Sequence, residues 1–499
     1  MTATPILLVH GYSTDASSES NRSSVAKMYG RLPSWLRTQY GQDRQVFELD
    51  VSRYISLEDG IGIDDISRAF DNALNTDFRH LRNATFHVVI HSTGALVIRN
   101  WIRKFAGRRQ PIRNVVYLAG ANFGSGWAHL GKGQLARWGR QFWSGSEAGV
   151  KVLNALELGS SDTLDMQIGF ISDGNEMVTT HGVREFVIIG SQPKTGLMSI
   201  PVRFAREDGS DGVIRVSSAN LNFVYVRYVT NGRGDKVTAH QVRSDLKPAR
   251  LPRDCDYYKV DWLSVPGEDR AVVPIAIPWG TAHSGTDVGV VDGSQTRDDI
   301  EPILQLALET SNVAQWRSRV ATFQATTDHA YEEASQRDFS GMWFRKGWSR
   351  KAQYEAHSQI IIRLLDQDGR PVPDYDVNFR RTSAEGSTTD IGGLMQHKHR
   401  NLLNPNIITF YLRTGKWDRD NKTFKDPEGN YLNRLSEIDD VVLEITGEER
   451  ETDDIQYLPF RKYLDKETLM RFVKPHATTV IDIEMRRIPS ENVFKAFKH

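Results

Sequence analysis

The most informative segment of the chain is the run Val88-Val89-Ile90-His91-Ser92-Thr93-Gly94-Ala95-Leu96-Val97. Its first half is an uninterrupted apolar strand, and the apolar residues that follow recur at helical spacing through residues 94–105. A serine at such a junction occupies a sharp strand-to-helix turn, which exposes its hydroxyl at the carboxyl edge of a sheet beside the positive end of a helix. The segment therefore predicts an α/β fold with Ser92 as candidate nucleophile.

The Ser92 turn departs at one position from the pattern Gly-x-Ser-x-Gly. Ile90 stands where that pattern has its first glycine, whose small size relieves crowding at the turn. A serine that only caps the following helix is the alternative interpretation. We interpret His91 as a packing and hydrogen-bonding neighbour of the turn, because a side chain next to the nucleophile in sequence points away from it.

A second turn follows the first apolar strand, in the run Leu7-Leu8-Val9-His10-Gly11-Tyr12-Ser13. The His-Gly pair in this run lets backbone N–H groups point toward the carboxyl edge of the sheet. The N–H groups of Tyr12 and Thr93 would together form an oxyanion hole, which stabilises the negative charge that develops on an acyl carbonyl oxygen. An ordinary β-turn is the alternative here.

Candidates for a catalytic acid and base follow two later predicted strands. A serine hydroxyl becomes a good nucleophile when an imidazole takes its proton, and the imidazole needs a carboxylate to fix its tautomer. Asp211 and His283 occur after Ser92 in the order that this chemistry has in α/β folds. The alternatives are Asp208 and then Asp235 for the acid, and His240 and His181 for the base.

The succession of apolar runs predicts the domain organisation. Residues 1–295 alternate β-branched runs with helical stretches, which is typical of a mostly parallel sheet with helices on both faces. A cap is inserted at residues 123–185, a helical connector spans 296–350, and a smaller all-β, sandwich-like domain spans 351–499. The predicted strands of the first domain are 6–9, 46–49, 86–90, 115–118, 186–189, 223–229 and 272–277.

Composition excludes several classes of protein. The 499 residues contain 63 Lys+Arg and 63 Asp+Glu, so no net charge attracts the whole molecule to nucleic acid or to anionic membranes. The single cysteine, Cys255, cannot form an internal disulfide. Because no basic and apolar leader precedes the first strand, we expect synthesis in the cytoplasm without a signal peptide, and export through a dedicated secretion system if the substrate lies outside.

Four segments, residues 6–13, 88–97, 118–125 and 210–219, resemble the lipase and acyltransferase branch of the α/β-hydrolase superfamily, which includes lecithin:cholesterol acyltransferase-like and bacterial lipases. The resemblance implies an α/β-hydrolase domain with Ser92, Asp211 and His283 as catalytic triad. Triad chemistry requires no cofactor. Because the sequence has no His-Glu-x-x-His motif and no paired Asp/His cluster, we expect no catalytic metal. In such families Gly-Val often follows the catalytic acid directly, so the resemblance favours Asp211 over Asp208 as the acid. Some bacterial lipases carry a structural calcium near the catalytic histidine. The alternative to a metal-free chain is therefore a calcium ion bound by Asp287 and Asp292.

The predicted substrate is a lipid or other carboxylic ester. Large apolar residues crowd the insert and would bind acyl chains in a cap or interfacial lid, Trp127, Leu130 and Trp138 among them. A buried cap subdomain is the alternative for these residues, and a non-lipid esterase, thioesterase or depolymerase is the alternative function. Two candidate partners are a membrane surface and a protein that the C-terminal β domain would bind. This β domain is similar in kind to accessory domains of type VI secretion phospholipase effectors.

Overall fold

The computed structural model describes residues 4–10, 28–41, 45–55, 59–107, 110–126, 128, 149–172, 175–192, 207–244, 246, 256–337, 351–382, 388–438 and 440–493. The strands in these ranges are β1 (Ile6–His10), β2 (Val46–Asp50), β3 (Phe86–His91), β4 (Ile112–Leu118), β5 (Arg184–Ile188), β6 (Val224–Thr230), β7 (Tyr258–Ser264), β8 (Ile275–Ala276), β9 (His357–Asp366), β10 (Tyr375–Thr382), β11 (Thr388–Asp390), β12 (Met395–Arg400), β13 (Ile407–Arg413), β14 (Asp440–Gly447), β15 (Ile455–Tyr457), β16 (Phe460–Asp465), β17 (Thr478–Met485) and β18 (Arg487–Pro489).

The α-helices in the same ranges are α1 (Leu32–Tyr40), α2 (Ile63–Asn75), α3 (Arg79–Arg82), α4 (Gly94–Lys104), α5 (Val150–Leu156), α6 (Ser161–Gly169), α7 (Val216–Ala219), α8 (Ala239–Ser244), α9 (Arg297–Glu309), α10 (Val313–Gln336), α11 (Lys351–Tyr354) and α12 (Lys466–Phe472). Short 3-10 helices lie at Val51–Tyr54, Gly234–Lys236, Ile391–Gly393, Arg434–Glu437 and Glu491–Val493. Of the helices that the structure describes, none has both the length and the hydrophobicity that crossing a bilayer requires.

The chain folds into two compact units. The parallel-sheet unit comprises Met1–Leu221, Ala271–Glu355 and Trp417–Glu428, and the β-rich unit comprises Asn222–Arg270, Ala356–Lys416 and Gly429–His499. Each unit is therefore assembled from separated stretches of sequence. This division differs from the linear order expected from the sequence, with boundaries at 295 and 350.

A parallel sheet forms the centre of the parallel-sheet unit. Among the described residues it has six strands in the order β2-β1-β3-β4-β5-β8. All positions of β3 are buried, as expected for a strand that helices cover on both faces. The register aligns His91 with Leu118, and Leu118 with Ile188, so β3, β4 and β5 end at one edge of the sheet. The predicted α/β fold class is confirmed, and Ser92 follows directly at this edge.

The helices α9 and α10 belong to the parallel-sheet unit. Ile303 and Leu304 of α9 and Trp316 of α10 lie in its hydrophobic core. The Trp316 indole N–H also donates to the backbone oxygen of Glu185 in β5 over 2.9 Å. The expectation of a connector at 296–350 is therefore corrected for its described part, because apolar residues of both helices lie in the core of this unit.

A buried ion pair lies between α4 and β5. Arg99 and Glu185 form a salt bridge, with side-chain exposures of 3% and 5%. The Tyr117 hydroxyl donates to the same Glu185 oxygen over 2.7 Å, and the Arg99 guanidinium lies 4.4 Å from the ring centroid of Phe170. Burial, together with the Glu185 charge, raises the pKa of Tyr117 well above its ordinary value. The helix that follows Ser92 is thus fixed to the sheet by charge as well as by apolar contact.

We expect Glu185→Ala to destabilise the protein by about 3–5 kcal/mol, because it leaves the Arg99 charge buried without its counter-ion. The double variant Arg99→Met/Glu185→Gln removes both charges and keeps an acceptor for Tyr117, so it should lose less stability than Glu185→Ala. Urea unfolding of the wild type and both variants measures the difference. Equal or greater destabilisation of the double variant would contradict this account.

The β-rich unit is a sandwich. Within the described residues it contains the mixed sheet β12-β13-β9-β17-β6-β7, the antiparallel sheet β11-β10-β14-β16 and the small pair β15-β18. Alternate residues of β9 in the first sheet and β14 in the second enter one hydrophobic core, including Ile360, Ile362, Leu364, Val441 and Leu443. Two sheets that share a core in this way pack face to face. Helix α12 adds Leu469 to the core, so the unit is mostly β.

Residues 222–270 join the β-rich unit, although the sequence analysis assigned them to the first domain. Strand β6 forms where a strand was predicted, but it pairs in parallel with β17 and antiparallel with β7. The chain returns to the parallel sheet at β8, which pairs with β5. The expectation fails because an apolar run identifies a strand without identifying the strand it pairs with.

A histidine in the β-rich unit makes its stability depend on pH. His476 lies between α12 and β17 with a φ angle of 55°. Desolvation lowers the pKa of His476 to about 4, whereas an unfolded chain has a histidine pKa of about 6.5. Since the folded chain holds this proton more weakly than the unfolded chain, the stability that His476 contributes is present above pH 6.5 and is lost as pH falls toward 4.

We expect the free energy of unfolding to fall by about 1–3 kcal/mol more in the wild type than in His476→Asn between pH 7 and pH 4. Asparagine tolerates the left-handed backbone at this position and does not titrate in this range, so the variant isolates the protonation. Urea unfolding at both pH values measures the difference. Identical pH dependence of the two proteins would show that His476 is not the responsible group.

Candidate active site

Ser92 occupies the turn between β3 and α4. Its φ angle is 54°, in the left-handed region that residues other than glycine rarely adopt. Hydrogen bonds to the chain around β4 hold this conformation: the Ser92 N–H donates to Leu118 O over 3.1 Å, and the Ala121 N–H donates to Ser92 O over 3.2 Å. Backbone strain at a serine between a strand and a helix is the local geometry of a nucleophile elbow.

The Ser92 side chain is almost enclosed, and the residue is 7% exposed. Its hydroxyl oxygen makes no hydrogen bond with any residue that the structure describes, and the same holds for the Thr93 hydroxyl. Burying a hydroxyl without a partner costs free energy, and such groups concentrate at functional sites. The Ser92 oxygen is therefore available for a base or a ligand.

Asp211 and His283 meet through a buried hydrogen bond. His283 Nδ1 lies 2.8 Å from Asp211 Oδ2, and the two side chains are 5% and 0% exposed. The His283 N–H also donates to Asp211 O over 3.0 Å. The other carboxylate oxygen, Oδ1, accepts the N–H groups of Val213 and Ile214 over 2.9 and 2.7 Å. Asp211 is thus fixed by backbone donors and in turn orients the imidazole.

His91 connects the elbow to His283. Its Nε2 atom lies 3.0 Å from His283 O, and the two ring centroids are 4.6 Å apart. Since His91 directly precedes Ser92, this contact brings the backbone around His283 to the elbow. The contact agrees with the role of packing and hydrogen-bonding neighbour that the sequence suggested for His91.

Further residues that the sequence analysis missed hold the loop that carries Asp211. Arg215, which is 1% exposed, makes two hydrogen bonds to the Glu207 carboxylate, over 2.9 and 2.7 Å. The Gln353 amide donates to Ser210 O over 2.9 Å and also to the backbone oxygen of Ser191. The opposite charges of Glu207 and Arg215 are visible in the sequence, but nothing there indicates that Gln353 reaches this loop.

A glycine permits the approach of the His283 segment to the end of β5. A Cβ atom at Gly190 would lie 1.9 Å from Thr281 O, which is closer than any side chain can come. The same carbonyl accepts the Gln192 N–H over 3.0 Å. Any substitution at Gly190 would therefore push away the backbone two residues before His283.

The alternative acids and bases have other surroundings. Asp235 and His240 belong to the β-rich unit, where the Asp235 carboxylate accepts the Thr230 hydroxyl over 2.9 Å. A ring nitrogen of His181 lies 3.0 Å from Asn175 Oδ1, and desolvation lowers the pKa of His181. The carboxylate that faces His283 Nδ1 is that of Asp211 rather than that of Asp208.

Several predicted site residues lie outside the described part of the chain, namely Tyr12, Trp127, Leu130 and Trp138. Their assigned roles in the oxyanion hole and in substrate binding stay predictions. Of the predicted cap, the structure describes residues 123–126, 128, 149–172 and 175–185. There, Val152 and Leu156 of α5 and Met166 of α6 enter the hydrophobic core of the parallel-sheet unit, so these residues serve packing.

The calcium alternative finds no support in the contacts of its proposed ligands. The Asp292 carboxylate accepts the Arg31 N–H over 3.0 Å, at the beginning of α1. In the described ranges, no group of three or more His, Cys, Asp or Glu side chains is placed to hold a metal ion. Asp292 therefore has a structural partner at the start of a helix.

The parallel sheet, the strained serine after β3 and the hydrogen-bonded Asp211 and His283 define an α/β-hydrolase fold, and the β-rich unit completes the chain. Among solved structures, phospholipase PlaB from Legionella pneumophila matches with a TM-score of 0.76 and 23% identity, over 100% of this chain and 97% of that chain. Its complex with thio-NAD matches with a TM-score of 0.75 and 22% identity, over the same shares.

A smaller match is the mature lipase BlEst2 from Bacillus licheniformis, with a TM-score of 0.30 and 17% identity, over 44% of this chain and 80% of that chain. No protein-family model and no curated protein sequence matches the chain. At these identities the likeness to PlaB establishes a shared fold along the whole chain.

Proposed function

We propose that this chain is a serine hydrolase that cleaves carboxylic esters of lipids, with phospholipids as the main class. The observation that carries the proposal is the strained Ser92 at the end of β3, next to the segment whose His283 is hydrogen-bonded to buried Asp211. These residue types, in this order and at this edge of a parallel sheet, suit acyl transfer through a serine ester.

In the first half of the reaction, Ser92 Oγ attacks the ester carbonyl while His283 takes the hydroxyl proton. Asp211 holds the imidazole with Nδ1 protonated, so that Nε2 is the basic nitrogen, and stabilises the imidazolium that forms. The ester C–O bond then breaks, the acyl group stays on Ser92, and the alcohol leaves with the proton from His283. Each step uses groups of the protein alone and needs no cofactor.

In the second half, water attacks the acyl-serine with His283 as base, which releases the carboxylic acid and restores Ser92. Negative charge develops on the carbonyl oxygen in both halves. The N–H groups of Thr93 and Tyr12 are the proposed donors to it, and Thr93 opens α4, whose N-terminus adds positive potential. Removing one such donor typically costs about 10²- to 10³-fold in rate.

The proposed substrate class rests on two supports of different kinds. The fold is that of a chain named a phospholipase, and the predicted cap is rich in large apolar residues such as Trp127, Leu130 and Trp138. Because apolar surfaces at the entrance of a site suit acyl chains, a lipid ester fits better than a small polar ester. A membrane surface then follows as the place where the substrate is met.

The test is to incubate purified wild-type protein with a short-chain nitrophenyl ester and, separately, with defined phospholipid vesicles, and to identify the products by mass spectrometry. We expect release of nitrophenol from the first and of fatty acid from the second, with Ser92→Ala as the inactive control. Ester cleavage with intact vesicles would reject the lipid class in favour of a non-lipid esterase or thioesterase. Inactivity of the folded protein on both would reject the proposed function.

A further inference from the structure

The β-rich unit presents two adjacent leucines on a fixed turn. Leu402 and Leu403, between β12 and β13, are 71% and 61% exposed, the highest values among the large apolar residues that the structure describes. Single exposed apolar residues are common on protein surfaces. Leu402 and Leu403 are consecutive at the tip of a hairpin and are each more than half exposed, so together they form a small apolar projection. Transfer of this projection from water into an apolar environment would lower the free energy.

Buried asparagines at both ends of the turn hold this projection in place. Asn401, which is 2% exposed, accepts the N–H groups of Leu403 and Asn404 on its Oδ1 atom, over 3.0 and 2.7 Å. Asn406, which is 4% exposed, donates its side-chain amide to Leu364 O over 3.0 Å. Polar side chains thus fix the backbone, and the leucines are displayed outward instead of folding back onto the unit.

Positive charges lie on the strand that leads into the turn. Lys398 and Arg400 of β12 are both exposed. The Arg400 guanidinium donates to Tyr375 O over 2.8 Å and lies 4.1 Å from the Tyr375 ring centroid. Neither cation forms an ion pair with a residue that the structure describes. The Lys398 ammonium lies 5.7 Å from the Phe410 ring centroid. Because the ring contacts and the hydrogen bond to Tyr375 O leave both positive charges uncompensated, the two cations can still attract anionic groups near the leucines.

We propose that the Leu402-Leu403 turn is a membrane-docking loop, which inserts its leucines among the acyl chains of a bilayer while Lys398 and Arg400 bind anionic headgroups. Apolar side chains at a tip with cations a few residues away match the layering of a lipid surface, where apolar interior and anionic headgroups lie within one side-chain length of each other. The docking loop rests on the proposed function for its purpose, because a lipid hydrolase must reach substrate held in a bilayer.

The first test measures vesicle binding directly. All proteins carry Ser92→Ala, so that hydrolysis cannot alter the vesicles, and binding is measured by flotation with phosphatidylcholine vesicles that do or do not contain phosphatidylglycerol. We expect Leu402→Ser/Leu403→Ser to lower the partition coefficient at least about tenfold, because the buried apolar area of both side chains is lost. Binding should also be stronger with phosphatidylglycerol. The matched control is Val260→Ser, an exposed valine on β7 that is 43% exposed.

Equal binding of the double variant and the parent protein would overturn the proposal, and so would an equal loss in Val260→Ser. A change in oligomeric state of the double variant, measured by light scattering, would overturn it in favour of a second copy of the chain as occupant. In the active protein, Leu402→Ser/Leu403→Ser should slow hydrolysis of vesicles but not of a soluble short-chain ester. If vesicle binding depends on Leu402 and Leu403 but the wild-type protein hydrolyses no ester, the proposed function is rejected and the docking loop is still supported.

Discussion

Replacing Ser92 with alanine is expected to lower kcat for ester hydrolysis by roughly 10⁴- to 10⁶-fold. Alanine keeps a Cβ at the strained position, where φ is 54°, and removes only the hydroxyl, so the elbow and the fold should persist. The loss is large because the acyl intermediate of the proposed reaction forms on this hydroxyl oxygen. Initial rates on a soluble ester, together with circular dichroism of both proteins, measure the effect.

The control for this prediction is Ser67→Ala. Ser67 is a buried serine of the same unit whose single hydroxyl proton is shared between Ile63 O, at 2.8 Å, and Val97 O, at 3.1 Å. Its replacement should lower stability slightly and leave the rate nearly unchanged. A Ser92→Ala protein that retains wild-type activity in a folded state would remove Ser92 from the reaction.

Replacing Asp211 with asparagine is expected to lower kcat by about 10⁴-fold with little change in KM. The asparagine side chain has the same shape, and its amide oxygen can still accept the N–H groups of Val213 and Ile214. An amide N–H that faces His283 Nδ1, however, favours the opposite tautomer, with the proton on the nitrogen that has to accept it from Ser92. The rate loss therefore comes from the imidazole and not from the loop.

Asp208→Asn is the matched control, because Asp208 lies in the same loop and was the main alternative acid. We expect its kcat to stay within about tenfold of the wild type, since it does not provide the hydrogen bond to His283. Steady-state kinetics of both variants on one soluble ester compare them directly. If Asp208→Asn had the lower kcat of the two variants, Asp208 and not Asp211 would be the catalytic acid.

Local sequence determined much of the fold that could be predicted. The elbow is readable because an apolar strand, a serine and an amphipathic helix are contiguous, and Ile90 in place of glycine did not prevent the turn, in which Ser92 itself adopts the left-handed backbone. Asp211 and His283 could be chosen because each follows a predicted strand in the required order. Their hydrogen bond joins residues 72 positions apart, and the order of the residues anticipates that pairing.

What could not be predicted depends on contacts between distant segments. Strand β6 was found, but its pairing with β17 joins residues such as Val226 and Ile481, and no local pattern specifies that choice. The Arg99–Glu185 pair and the Gln353 contact with the Asp211 loop are of the same kind. The helical connector expected at 296–350 formed helices in its described part, but the sequence did not indicate that α9 and α10 pack into the parallel-sheet unit.

The most direct test of the account is to treat the native protein with a fluorophosphonate probe, which forms a covalent bond only with an activated serine, and to identify the labelled peptide by mass spectrometry. We expect one modified residue, Ser92, with labelling much slower in Asp211→Asn and absent in Ser92→Ala. Labelling at another serine, or no labelling of a folded and pure sample, would show that Ser92 is not a nucleophile activated by His283 and Asp211.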